Sequence, residues 1–312
     1  MTKSTTRGGK SDASFEFIDL FAGIGGFHLA LSELGGECVF ASEWNPHARQ
    51  TYEANFRPSN PDLFDSGRFA GDLTQITQAE TREASRKQIL KAIPKFEVLT
   101  GGFPCQPFSQ AGYKKGFEDE RGNLFFDIRN IIDARQPKAV FLENVSHLLK
   151  HDNMETFRTI KHIMEYDLGY SFFHKVVKAS DYGLPQLRPR LFMIGFRDSR
   201  IKEFDFPEPV PLRLTMSEVF EQPCAREVGF TLRVGGRASG IDNRHNWDAY
   251  RMENGEIRTL TSREGKRMMG FPDRFKFPVS EVQALKQLGN SVAVDAVRTV
   301  AESMLQTAKI IG

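Results

Sequence analysis

Four groups of residues in this chain have types and spacing that could do chemistry. Cys105 stands in Gly102-Phe103-Pro104-Cys105-Gln106-Pro107-Phe108-Ser109, pinned between two prolines after the apolar run 96–100. Proline fixes its own φ and restricts the residue before it. A thiolate nucleophile needs such a fixed aim; the plain alternative is a small buried hydrophobe. Glu143, in Glu143-Asn144-Val145, ends another apolar run. A carboxyl there can act as a general acid once burial raises its pKa, with Asn144 orienting it; a helix N-cap is the plain alternative for Asn144. Arg188 and Arg190 alternate along an extended segment, so they are expected to share a face. Two guanidiniums on one face can grip a phosphate or carboxylate, although a solvated strand edge would look the same. The fourth group is Ala22-Gly23-Ile24-Gly25-Gly26, a glycine turn between an apolar run and a helical pattern.

That turn lets a ligand approach the backbone closely. His28 occupies the third glycine position, so the pyrophosphate fingerprint is incomplete, which argues against a nicotinamide dehydrogenase. Glu43 ends the next apolar run, where an acid can bind ribose hydroxyls. Asp72 follows a third strand end and could accept from an exocyclic amine. Three polar groups at successive strand ends suit an adenosyl ligand without a pyrophosphate. A tight turn with two exposed acids is the plain alternative.

The elements that must carry these residues alternate. Strands are predicted at 15–21, 37–41, 96–100, 139–142, 172–178 and 190–195. Helices are predicted at 27–34, 46–56, 79–93, 123–134 and 154–166. This order argues a doubly wound, mainly parallel α/β sheet. Residues 108–122 read as a polar, glycine-containing loop long enough to be a functional lid. The pattern changes after about residue 198, first to a proline-rich stretch and then to a segment rich in Gly, Arg, Asp and Asn. A small, loop-rich, partly β domain is expected there. Helical periodicity returns from 282 to 311 and is expected to pack back on the large domain. The division is therefore a flexible tail over 1–14, a large domain over 15–197 and 284–312, and a small domain over 198–283.

Composition narrows the class. The 312 residues carry a net charge of +2, with 40% hydrophobic and 26% charged residues, and the mean hydropathy is −0.40. This is an ordinary globular composition. No apolar run reaches the ~20 residues of a membrane span, and residues 1–14 lack the apolar core of a secretory signal. Three cysteines, Cys38, Cys105 and Cys224, are far apart and form no CxxC pair. A disulfide framework and a metal site are not expected, and a reducing cytoplasm fits. The global charge is too mild to announce nucleic-acid binding. However, residues 226–276 hold eleven Lys/Arg against seven Asp/Glu, which supports phosphate contact.

Taken in order, the segments Asp19-Leu20-Phe21-Ala22-Gly23-Ile24-Gly25-Gly26, Gly102 to Ser109, Arg121-Gly122-Asn123-Leu124-Phe125, Glu143-Asn144-Val145, Gln186-x-Arg188-x-Arg190, Arg258-x-Leu260-Thr261-x-Arg263-Glu264 through Gly270-Phe271-Pro272-Asp273, and Gly289-Asn290-Ser291-Val292 resemble the motif series of the DNA (cytosine-5)-methyltransferases. The resemblance spans about residues 15 to 305 and is to the bacterial restriction-modification type. It departs from the family's pattern in minor ways: Asp127 stands where Glu is common, and Pro189 sits between the two arginines.

The resemblance implies a Rossmann-like, S-adenosylmethionine-dependent methyltransferase fold with a target recognition domain over 198–283. It implies that Phe21, Gly23 and Gly25 form the cofactor turn, that Glu43 takes the ribose, and that Trp44 packs near the adenine. Asp72 would meet the adenine amine, and Pro104, Leu124 and Asn290 would complete the pocket; S-adenosylhomocysteine would be the product. Cys105 would attack C6 of a flipped cytosine, Glu143 would protonate N3, and Arg190 with Arg188 would support the base and its phosphate. Ser109, Lys114, Lys115, Arg233, Arg237 and Arg244 are the expected contacts to double-stranded DNA, with Lys114 and Lys115 on a lid over 110–122. Thr231, Asn243, His245 and Asn246 are further types suited to base edges. A cognate restriction endonuclease is a candidate partner, and a monomer is expected. An RNA-methylating branch keeps the same motifs, but the Arg/Gly-rich segment here does not resemble it.

Overall fold

The computed structural model describes residues 14–104, 124–235 and 239–312. The expected tail up to residue 13, the lid over 110–122, and with them Cys105, Ser109, Lys114, Lys115 and Arg237, lie outside the described residues.

A seven-stranded sheet forms the centre. Its strands are β1 (Phe15–Leu20), β2 (Gly36–Ser42), β3 (Phe69–Ala70), β4 (Val98–Gly102), β5 (Ala139–Val145), β6 (Ser171–Lys178) and β7 (Pro189–Phe196). Their order across the sheet is β3-β2-β1-β4-β5-β7-β6. All pairs are parallel except those that β7 makes with β5 and β6. The expected doubly wound sheet is thus present. Periodicity alone could not give the reversed sense of β7, which enters the sheet beside the C-terminal end of β5. Strand order reverses direction between β1 and β4, the place where open α/β sheets bind ligands.

The interior strands are apolar on both faces, as a sheet covered on both sides requires. Phe15, Phe17 and Phe141 face one apolar cluster; Ile18, Leu20, Leu99 and Leu142 face the other. On the first face lie α1 (Gly26–Glu33) and the C-terminal helix α11 (Val294–Thr307), joined by an Arg298–Glu33 ion pair of 2.7 Å. On the second lie α5 (Arg82–Ala92), α6 (Leu124–Arg135) and α7 (Glu155–His162). The remaining α-helices among the described residues are α2 (Pro46–Phe56), α3 (Pro61–Asp65), α4 (Thr74–Thr77), α8 (Met216–Phe220), α9 (Ser262–Met269) and α10 (Glu281–Asn290). A short antiparallel pair, β8 (Ala249–Arg251) and β9 (Ile257–Thr259), is the regular β structure among the described residues of the 198–283 region. Buried Trp247, Tyr250 and Met268 of that region belong to the same apolar cluster as Phe27 and Val297. Among the described residues no helix is long and apolar enough to cross a membrane.

His28 shows why the third glycine position holds no glycine. It lies on α1, stacked on Phe56 with centroids 3.9 Å apart, and its Nδ1 is 2.6 Å from the Tyr52 hydroxyl. Burial drives its pKa from 6.5 down to about 3. The unfolded chain therefore takes up a proton in that window that the folded chain refuses. The stabilisation is complete above the unfolded pKa and is lost as pH falls toward the folded one. Acidification from about pH 6.5 to 4.5 is expected to lower the melting temperature, with up to about 1.4 kcal/mol per pH unit from this residue. His28→Asn should flatten that slope; an unchanged slope by calorimetry would assign it to other groups.

Candidate active site

The first turn follows β1 at the C-terminal edge of the sheet. Phe21 and Gly23 both have positive φ, at 54° and 57°. Gly25 is at φ 86°, and a Cβ there would lie 2.2 Å from the Phe56 ring, so the ring itself requires glycine. A Cβ at Gly23 would meet nothing within 4 Å, so the turn opens onto free space. Glu43, at the end of β2, faces the turn. Its Oε2 accepts from the Gly23 N–H at 2.8 Å and its Oε1 from the Asn45 N–H at 2.7 Å. Burial raises its pKa against these bonds and the nearby Arg49. Trp44, next in the chain, is 83% exposed. Asn45 caps α2 through the His47 and Ala48 N–H groups, with Pro46 at the first helical position.

Two supports stand beside this turn: Arg49, which escaped the sequence reading, and Asp127, noted there as a shorter acid than the family's pattern. Arg49 reaches from α2 to the Glu43, Ala70 and Phe69 carbonyls, tying the ends of β2 and β3 together. Asp127, on α6, accepts from Thr77 Oγ1 at 2.5 Å and Gln78 Nε2 at 3.0 Å, which fixes α4 and its flank. Asp72 in turn accepts from the Thr74 N–H and hydroxyl at 3.0 and 2.7 Å, at the start of α4. Pro104 and Asn290 are exposed and Leu124 is half-buried.

A second set of groups lies two strands away on the same edge. In the β4–β5 pairing Gly102 stands opposite Glu143, and a Cβ on Gly102 would come within 3.4 Å of Glu143 Oε2. In the antiparallel β5–β7 pairing Arg190 stands opposite Val145, on the diagonal from Glu143. Its Nε is 3.0 Å from Glu143 Oε1. That contact is an ion pair without hydrogen-bond alignment, and Oε1 has no hydrogen-bond partner among the described residues. Burial raises the Glu143 pKa; Arg190 first, then Arg188, pull the other way. Asn144 does not cap a helix. Its Nδ2 donates to the Phe103 carbonyl at 2.8 Å and so fixes the chain leading into Pro104.

Arg188 corrects an expectation. It does not share a face with Arg190, because its φ is 28° and strand alternation begins only after it. A non-glycine residue held there costs about 1–3 kcal/mol, so the surroundings must over-determine it. They do: the buried guanidinium donates to the Leu232 carbonyl at 3.3 Å, to the Gly289 carbonyl at 2.9 Å and to the Ser291 carbonyl. Its N–H donates to Thr231 Oγ1 at 3.1 Å. Burial lowers its pKa to about 9, with Arg190 adding to the effect. Gln186, also buried, donates to the Met268 carbonyl at 3.1 Å and accepts from the Leu232 N–H at 3.0 Å.

Gly289 completes this joint, since a Cβ on it would lie 2.7 Å from the Arg233 carbonyl carbon and 2.8 Å from its oxygen. Backbone cannot yield cheaply, so Gly289→Ala is expected to cost about 1–3 kcal/mol. Scanning calorimetry should show a melting temperature lower by several degrees, and an unchanged value would disprove the close approach.

The other expected DNA contacts divide. Arg233 and Arg244 are exposed, with Arg244 Nε 3.0 Å from His245 Nε2. Asn246 is buried and braces its own turn through the Ala249 N–H and carbonyl, so it is unsuited to base contact. Thr231 is engaged by Arg188. Thr261 and Glu264 form a capping box on α9, with the Thr261 N–H 2.9 Å from Glu264 Oε2.

The family model described as C-5 cytosine-specific DNA methylase matches residues 15–229 and 225–306. Type II methyltransferase M.HhaI of Haemophilus parahaemolyticus is 37% identical over 331 residues, covering 94% of this chain and 94% of the relative. Type II methyltransferase M.HpaII of Haemophilus parainfluenzae is 39% identical over 342 residues, covering 94% of this chain and 89% of the relative. Among solved structures, a putative DNA modification methyltransferase encoded within an E. coli prophage aligns with a TM-score of 0.67 at 20% identity, covering 94% of this chain and 99% of that one. The Spodoptera frugiperda DNMT2 structure aligns with a TM-score of 0.65 at 19% identity, covering 93% and 99%. At these identities the two structures speak for the fold alone. Sequence matches of that extent, on a sheet whose strand ends converge as described, place the chain in the C-5 cytosine-specific DNA methylase family, as a DNA (cytosine-5-)-methyltransferase.

Proposed function

We propose that the protein transfers a methyl group from S-adenosylmethionine to C5 of a cytosine flipped out of a specific short sequence in double-stranded DNA, through a covalent bond between Cys105 and C6. The observation that carries this reading is the convergence of Gly102, Glu143 and Arg190 at three neighbouring strand ends, with Asn144 holding the chain that leads into Cys105.

The residues present fit the cofactor. The turn is open above Gly23, Glu43 retains accepting capacity for ribose hydroxyls beside its two backbone bonds, and exposed Trp44 offers a face to an adenine. Phe21, Gly25, Asp72, Pro104, Leu124 and Asn290 would line the rest of the pocket. When bound, S-adenosylmethionine supplies a methyl group activated by a sulfonium centre. The chain's own residues must make C5 nucleophilic. The Cys105 thiolate adds to C6 while Glu143 delivers its proton to N3, so C5 gains the electron density of an enamine. Arg190 orients the Glu143 carboxyl. Once the methyl group is in place, C5 loses its proton to a base, the Cys105–C6 bond breaks, and the N3 proton returns to Glu143.

C5 of a stacked cytosine is inaccessible, so the base must leave the duplex. Residues 198–283 would recognise the target, with Ser109, Lys114, Lys115, Arg233, Arg237 and Arg244 as DNA contacts. As the named relatives are type II methyltransferases, a restriction endonuclease for the same site is the expected partner, and the enzyme is expected to act as a monomer. The test is base-resolution mapping of 5-methylcytosine on unmethylated plasmid DNA incubated with the protein and S-adenosylmethionine. Methylation at one short motif is expected. No methylation of DNA, or methylation of RNA instead, would overturn the reading.

A further inference from the structure

The Gln186-x-Arg188-x-Arg190 segment serves two places at once. Arg190 turns to Glu143. Gln186 and Arg188 turn the other way, into the joint between the 231–235 segment and the end of α10. Arg188 spans that joint: one nitrogen meets the Leu232 carbonyl, another the carbonyls of Gly289 and Ser291. Those two carbonyls flank Asn290. The Leu232 carbonyl precedes Arg233, whose backbone packs on Gly289 with no room for a methyl group. Further along, the Gly235 carbonyl accepts from Trp247 Nε1 at 2.8 Å, anchoring the segment in the recognition region.

We propose that Arg188 is a positioning residue that couples DNA binding to cofactor binding, by locking the segment around Arg233 and the turn around Asn290 into one block. This rests on the proposed function, in which Arg233 faces DNA and Asn290 faces the cofactor. Neither residue needs to touch the other's ligand. A displacement of residues 232–234 on the duplex must move Gly289 or break bonds to a buried guanidinium, so each ligand favours the arrangement that suits the other. Such coupling is reciprocal, and typical values correspond to affinity changes of about five- to 150-fold. The positive φ of Arg188 fits this assignment, because it directs the guanidinium into the joint while Arg190 remains at the carboxylate.

The test measures S-adenosylhomocysteine affinity by calorimetry, with and without a saturating duplex carrying the mapped target. The wild type should bind it at least about fivefold more tightly on DNA. In Arg188→Met that ratio should fall to near one. Thr231→Val, which removes only the hydroxyl that accepts the Arg188 N–H, should lower it partially. Arg244→Ala, at an exposed site whose guanidinium meets His245, should weaken DNA binding while the ratio stays at the wild-type value. A role confined to stability would change melting temperature without moving the ratio. A wild type that methylates DNA but shows no coupling overturns the inference, as does a wild-type ratio in Arg188→Met. If Arg188→Met gives no cooperative melt, a wild-type ratio in Thr231→Val overturns it. A wild type that neither methylates DNA nor binds S-adenosylhomocysteine removes the underlying function, and the coupling with it.

Discussion

Cys105→Ser is expected to reduce methyl transfer by more than about 10⁴-fold, the scale on which enzymes lose rate when a covalent nucleophile is removed. The serine hydroxyl is close in size, so DNA and S-adenosylhomocysteine affinities should change by less than about threefold. Loss of rate without loss of binding is the signature of an interaction made in the transition state. The structural ground is the chain leading into this residue. β4 ends at Gly102, beside Glu143, and the Phe103 carbonyl is held by Asn144, so the position of Pro104 is fixed from a neighbouring strand. Single-turnover methyl transfer and electrophoretic mobility shift would test both halves. Methylation by the serine variant within tenfold of wild type would rule out covalent catalysis by Cys105.

Glu143→Gln is the second large effect, an expected loss of roughly 10²–10⁴-fold for removal of a general acid. Its diagnostic feature is pH dependence. Burial raises the Glu143 pKa and Arg190 holds it partly down. On the proposed mechanism the acid form delivers the proton to N3, so the chemical rate should fall as pH rises through the Glu143 pKa. An amide cannot ionise in this range, so the glutamine variant should lose that alkaline limb along with most of its rate. Arg190→Gln removes the cation that favours the carboxylate, so the limb should move to higher pH. Stopped-flow measurement of the chemical step from pH 5.5 to 9 would test this. An alkaline limb in Arg190→Gln that moves to lower pH would contradict the assigned roles.

The parts of the site that were legible in the sequence are those with local causes. Helix α2 runs from Pro46 to Phe56 as expected, because Asn45 and Pro46 mark its start in the sequence itself. The glycine turn, Glu43, and the Gly102 and Glu143 strand ends were equally readable, since strand–turn–helix punctuation places them at one edge. What escaped depends on partners far away. The 282–311 tail reads as one helical stretch, yet it divides into α10 and α11 at Ser291–Ala293. Gly289 packs on Arg233 there, and Arg188 takes the carbonyls at the break. The 154–166 helix begins as α7, but its last turn widens over Ile163–Asp167, where the Leu168 N–H bonds the Ile163 carbonyl. Alternation predicted Arg188 beside Arg190; a single backbone angle separated them.

The long reach of these contacts bears on how the enzyme comes into being. Arg188 meets carbonyls 44, 101 and 103 residues further along the chain. Contacts of such separation are rewarded only after long loops have closed, and they slow folding. The glycine turn after β1 draws instead on β1, α1 and β2, consecutive elements. The β1–β2 pairing can therefore form early in synthesis, whereas the turn is fully packed only when Val292 meets Gly26 and Arg298 meets Glu33. On the proposed function, a chain that stops short of residue 289 would lack both the carbonyls that Arg188 holds and Asn290 of the cofactor pocket.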